Sequence, residues 1–163
     1  MTTETALLLA KLTLMSGLAV WLAVIALNNT LAFRAGAFSV GMLMAMQLFD
    51  QEPRIDVPLL SRRVRNPFWH RAVFGFILVL EIATALLLAW GALQLGLAML
   101  GSLQPTAAFA AATLGLTALL ATSLVMLVGG AWFAYYIRQE ATQITHFVLI
   151  GLSVGALVLV NLR

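Results

Sequence analysis

Apolar residues in this chain neither alternate with polar ones nor recur every third or fourth position; they run on almost unbroken, four times over. Residues 7–27 (LLLAKLTLMSGLAVWLAVIAL) contain one charge, Lys11; residues 72–100 contain one, Glu81; residues 107–137 and 144–162 contain none. A helix needs about 20 such residues to cross a hydrocarbon core ~30 Å thick, so each run predicts a transmembrane span. The two longer runs must tilt or protrude. Residues 101–106, GSLQPT, form a Gly/Pro break with room only for an antiparallel turn between the second and third spans. The first run is expected to be a retained helix, since Glu4 is the only charge ahead of it and a cleaved leader opens on basic residues. Lys11 lies close enough to its start for the ammonium to reach outward to the interface.

Residues 28–71 break the pattern. They hold six of the nine basic residues (Arg34, Arg54, Arg62, Arg63, Arg65, Arg71) and three acids (Asp50, Glu52, Asp56). Inside this loop, residues 35–49 (AGAFSVGMLMAMQLF) are uncharged, too few to cross comfortably and too apolar to face water. They predict an interfacial or re-entrant helix. Pro53, Pro58 and Pro67 predict irregular backbone between Asp50 and Asn66. The expected fold is an all-α integral membrane protein, one membrane domain over residues 1–163, built as a four-transmembrane-helix antiparallel bundle with that short helix in its first loop.

Composition closes off the alternatives. The chain is 63% hydrophobic and 9% charged, with a mean hydropathy of +1.03, against about 25% charged in a soluble domain. Four spans consume most of its 163 residues and leave no room for a catalytic domain outside the bilayer. Without cysteine there is no disulfide, thiolate metal site, iron–sulfur cluster or thiol nucleophile. The net charge of +3 reports topology rather than nucleic-acid binding. Seven basic residues, Arg138 included, fall on the face of the first and third loops, and two, Lys11 and Arg163, fall on the other. The positive-inside rule therefore predicts a cytoplasmic basic loop and both termini outside. Arg62, Arg63, Arg65 and Arg71, with Trp69 and Trp132 as interfacial rings, are expected to contact lipid or a partner.

Lipid offers no hydrophobic reward for helix association, so small residues mark the faces that allow close approach. Ala107, Ala111 and Gly115 in the third span, and Gly151 and Gly155 in the fourth, recur at four-residue spacing and predict packing inside the bundle. Tyr135 and Tyr136, with Trp132 and Phe133, read as an aromatic belt. Asn28 and Asn29 read as the cap of the first span.

Glu81 is the sharpest chemical signal. It stands nine residues into its span, about 13 Å deep, where a carboxylate costs several kcal/mol and marks a functional site by default. Ser16, Thr117, Thr122, Ser123 and Ser153 lie at comparable depth and supply hydroxyl donors, with no basic partner in reach. A proton or cation site is one reading; a neutral Glu that knits helices together is the other. His70 and His146, the only histidines, fall at the loop-side ends of two parallel spans. Opposed there, they would ligate a haem b axially, with arginines near its propionates. A histidine–carboxylate metal site has less support, since Glu81 lies about 16 Å beyond His70 along one helix. No phosphate loop, nucleophile elbow, zinc helix or nucleic-acid module is present in the sequence, and no enzymatic activity is expected.

A first span ending in Asn28-Asn29, then Phe38-Ser39-Val40, Trp69-His70, Glu81-Ile82-Ala83-Thr84-Ala85 followed by Gly91-Ala92-Leu93, and Gly129-Gly130-Ala131-Trp132-Phe133 form a pattern across nearly the whole chain. It resembles a bacterial family of predicted small integral membrane proteins, domain of unknown function 2165. The resemblance implies a multi-pass protein of the bacterial inner membrane and brings no established activity. This sequence departs from the family pattern at three positions. Gly41 stands where members usually have His, residues 44–47 replace a stretch carrying Asp, and Ala131 replaces a Glu. If those positions share a site with Glu81 and His70, this member keeps the scaffold and has shed part of the chemistry.

The first functional expectation is a non-enzymatic accessory or assembly subunit, embedded in the lipid bilayer and bound to other integral membrane subunits of a larger complex. The alternative is an oligomeric proton-coupled small transporter that uses Glu81. A haem b-binding four-helix protein is the third; otherwise no cofactor is expected.

Overall fold

The computed structural model describes residues 2–162, and every regular element among them is helical. Five α-helices follow in order: α1 (Thr3–Leu31), α2 (Phe33–Met44), α3 (Pro67–Met99), α4 (Pro105–Trp132) and α5 (Glu140–Asn161). Of these, α1, α3, α4 and α5 are long and apolar enough to cross a membrane. The protein is an integral membrane protein with four spans. Arg163, one of the two basic residues assigned to the terminal face, lies outside the described residues.

Local chemistry sets the helix ends. The Thr2 hydroxyl accepts from the Thr5 amide at 3.2 Å to start α1, and the Asn66 side chain accepts from the Phe68 amide at 2.9 Å, ahead of Pro67, to start α3. At the far end of α3, Gly101 adopts φ +74°, the Ser102 amide donates to the Leu97 carbonyl and the Gly101 amide to Ala98. This is the paired closure that a left-handed glycine allows, and it turns the chain into α4 within a few residues.

Two predicted boundaries move for identifiable reasons. The first span does not stop at residue 27: Asn28, Asn29 and Thr30 stay helical, with the Thr30 hydroxyl returned to the Ala26 carbonyl at 2.7 Å. The third span ends at Trp132 rather than 137, because Ala134 turns left-handed (φ +51°) and starts a short 3-10 turn over Tyr135–Ile137.

The short apolar helix expected in the first loop is α2. It continues α1 after a break at Ala32 and packs on the first turns of α3. Asn29 meets Glu81, Gly36 lies against Phe74 and Gly41 against His70, so positions rise along α1 and α2 as they fall along α3. One antiparallel seam therefore runs from α1 into α2. On its other side α3 packs extensively on α4, and α4 packs on α5, while α1 and α5 barely touch. The spans form a curled row rather than a closed square.

The α3–α4 contact is close because two glycines make it so. A Cβ at Gly91 would stand 2.8 Å from the Ala112 Cα, and one at Gly115 would stand 2.8 Å from the Leu87 carbonyl oxygen. The inward track of α4 is Ala108, Ala112 and Gly115; Ala107 is exposed and Ala111 half-buried. A face that repeats every 3.6 residues needs spacings of three and four in turn, which a strict spacing of four overshoots. The fourth span departs further from expectation. Gly151 and Gly155 face outward with nothing near, while Ser153, Ala156 and Val160 turn inward.

Lys11 reaches outward along its span to the end of the fourth span rather than to open solvent. Its side chain is 2% exposed, its Nζ donates to the Leu162 carbonyl at 2.6 Å, and it lies 4.1 Å above the Phe109 ring. A cation is favoured there, since the last carbonyls of α5 lack helical partners and carry partial negative charge. On the opposite face the loop folds into a lid. Met46, Phe49 and Ala134 form a small second core, joined by Ile55, Leu60 and Phe133. Arg63 donates to the Met46 carbonyl and, at 2.8 Å, to Asp50; Arg62 donates to the Trp132 carbonyl and lies 4.4 Å above the indole; Arg138 donates to the Pro53 carbonyl. Arg62 and Arg63 thus bind within the chain, whereas Arg65, Arg71 and Trp69 are exposed.

Substitution separates the two glycine pairs. Gly91→Leu or Gly115→Val should destabilise the monomer by about 1–3 kcal/mol through forced helix separation, and Gly151→Ala with Gly155→Ala should leave it unchanged, as read by thermal unfolding in detergent.

Candidate functional site

Two polar arrangements stand inside the apolar body. The first is the seam between α1 and α3. Glu81 lies near the middle of α3, 7% exposed, and its Oε2 accepts from the Asn29 Nδ2 at 2.8 Å. Among the described residues no cationic side chain pairs with it. None of the hydroxyls expected at its depth reaches it either. Thr122 pairs with Thr84 across α3 and α4 at 3.0 Å, while Thr117, Ser123 and Ser153 return to carbonyls of their own helices. The partner was hidden in the asparagine pair read as a cap. In the structure Asn29 continues the buried stripe of Met15, Leu18, Leu22 and Ala26 at helical spacing, a register that an unbroken apolar run does not mark.

The second arrangement lies where the helices part. At the loop end α2 and α5 scarcely touch, and between them, floored by α3 and α4, is a cavity of about 430 Å³. Val73, Phe74 and Ile77 of α3 and Val125, Met126 and Gly129 of α4 form its floor. Tyr135, Gln139, Thr142 and His146 gather toward the loop. The Tyr135 hydroxyl meets the His146 Nδ1 at 3.1 Å, and the two rings stack with centroids 5.7 Å apart. Tyr135 reaches this position because position 130 is glycine: a Cβ there would stand 2.6 Å from its ring. Burial pushes the Tyr135 hydroxyl above its ordinary value, so it stays a phenol. It is a hydrogen-bond participant and not merely part of an aromatic belt.

The two histidines are engaged separately. His70 Nε2 is bonded to the Val64 carbonyl at 2.8 Å, and its Nδ1 side packs so closely on Gly41 that a Cβ there would stand 2.5 Å away. His146 is tied to Tyr135. They share neither a hydrogen-bond partner nor the cavity, so the structure assembles no common site from them. Among the described residues no group of three or more His, Asp or Glu side chains converges as metal ligands would. Of the positions where the sequence departs from the family pattern, Gly41 touches His70, while Ala131 is exposed.

Residues 7–163 match the family described as predicted small integral membrane protein, domain of unknown function 2165. The chain belongs to this family. No curated protein and no solved structure matches it. Membership in domain of unknown function 2165 agrees with the four-span architecture and assigns no chemistry to the Asn29–Glu81 seam or to the cavity.

The seam makes a direct prediction. Glu81→Gln keeps an acceptor for Asn29 and should unfold within about 1 kcal/mol of the parent. Glu81→Leu strands the buried amide and should cost about 1–3 kcal/mol, with Asn29→Leu similar. Equal losses for Glu81→Gln and Glu81→Leu in detergent unfolding would show that the hydrogen bond is not what Glu81 contributes.

Proposed function

We propose that this protein is a non-enzymatic accessory or assembly subunit of a larger complex in a bacterial inner membrane, with its folded basic loop in the cytoplasm. The observation that carries this reading is the outer face of α5. Gly151 and Gly155 lie one turn apart with open space where a side chain would stand, and Ile144, Val148 and Leu152 are exposed on the same helix. Against lipid a glycine pair wins no packing, because acyl chains are as apolar as the leucines they would replace. Against a second helix it permits backbone approach at van der Waals distance. Because α5 leans mainly on α4, its remaining surface is available to a helix of another integral membrane protein.

Charge supports the same reading and its orientation. Arg34, Arg65 and Arg71 remain exposed on the loop face after Arg62, Arg63 and Arg138 have been drawn into the lid. They would meet anionic headgroups or an acidic partner surface, at about 1 kcal/mol per residue near the membrane. Proton-coupled transport through Glu81 gains no such support, since the carboxyl is held in the α1–α3 seam and does not line the cavity.

Extraction of the chain at native abundance in mild detergent should recover it with defined integral membrane partners. A photo-crosslinking residue at position 151 should label one of them. Gly151→Leu with Gly155→Leu should reduce recovery of that partner at least tenfold while the chain stays folded; a lone monomer at every detergent concentration would overturn the proposal.

A further inference from the structure

We propose that the cavity between α2 and α5 is a binding site for a lipid-soluble quinone. It is independent of the α5 face that carries the subunit reading, and it stands on the distribution of groups around the cavity. A volume of about 430 Å³ lies within the range of pockets that enclose a small organic molecule, ~300–1,000 Å³. Helices α2 and α5, which both line it, make few contacts with each other, and a molecule dissolved in the bilayer would enter between them.

The walls specify the occupant. Apart from its one imidazole, the lining holds no ionisable side chain of Asp, Glu, Lys or Arg, so it offers nothing to the phosphate of a phospholipid. Its floor on α3 and α4 is apolar, with Val73, Ile77, Val125 and Met126 beside Phe74, as a tail requires. Toward the loop it presents flat rings, Phe133, Tyr135 and His146, against which a planar headgroup stacks. The hydrogen-bonding groups stand at this end. Tyr135 remains a phenol, and its nearest partner is the His146 Nδ1. With the phenol donating to Nδ1, the imidazole proton sits on Nε2. No protein acceptor among the described residues takes it. An N–H donor beside stacked rings, with the amide of Gln139 and the hydroxyl of Thr142 nearby, suits a ring that carries carbonyl oxygens. Gly129 leaves the wall open, since a Cβ there would meet nothing within 4 Å.

The chain carries its own control, because its two histidines differ. In purified, delipidated protein labelled with nitrogen-15 at histidine, decylubiquinone should shift the His146 imidazole resonances saturably at one molecule per chain. His70, bonded to Val64 and outside the cavity, should not move. Gly129→Leu fills the cavity and should weaken the apparent affinity at least tenfold, with an unchanged His70 resonance reporting an intact fold. His146→Gln retains an N–H donor and should bind, by competition against the labelled parent, more tightly than His146→Phe. The proposal is overturned if His146 does not respond, if dioctanoylglycerol or phosphatidylglycerol shifts it as strongly as the quinone, or if Gly129→Leu binds like the parent.

Discussion

Backbone contact between α3 and α4 is the constraint on which the rest of this molecule depends. Lipid does not squeeze helices together, so association rests on close packing and on polar bonds between neighbours. At Gly91 and Gly115 the two helices approach to a distance that a single methyl group would forbid. Fixing α3 against α4 leaves one side of α3 for α1 and α2 and one side of α4 for α5. From this follow the long antiparallel seam that seats Glu81 opposite Asn29 and the fourth span that leans on a single neighbour.

Four of the nine basic side chains serve ends and turns of the chain, where backbone carbonyls need donors. Lys11 serves the end of α5, Arg62 the end of α4, and Arg63 and Arg138 the turns of the lid. A carbonyl left without a partner where water is scarce costs free energy, so a cation that reaches one contributes a hydrogen bond as well as a charge. Only two ion pairs are present among the described residues, both in the lid, and one of them, Arg54 with Glu52, is largely exposed. The basic character of the loop is thus as much a scaffold for its own irregular backbone as a signal to the membrane.

Span number and order were legible in the sequence because uncharged runs of 20 residues have no other common use in a protein. Span ends were harder to place. Polar residues such as Asn28 and Asn29 read as stops, yet a helix carries them readily when a partner waits on the neighbouring span. The small-residue tracks were visible as composition but not in register, since Gly151 and Gly155 have the right spacing on the wrong face. Pairings between distant positions were out of reach. Lys11 and Leu162 are 151 residues apart and Asn29 and Glu81 are 52 apart, and nothing local links either pair. Tyr135 and His146 are only 11 apart, but they meet through a left-handed turn at alanine, a residue whose side chain gives no hint of one.

The Lys11 bond has a mechanical meaning beyond neutralising a helix end. It fastens α5 to α1 at the terminal face, while at the loop face α5 has only α4 and the short Tyr135–Ile137 turn to hold it. A rod pinned at one end moves most at the other. His146 lies 16 residues from the pinned carbonyl, about 24 Å along the helix, so each ~5° of tilt would carry its ring through about 2 Å. The fourth span would in effect pivot about a buried ammonium, and its loop-side arm, which Tyr135 holds through His146, forms one wall of the cavity.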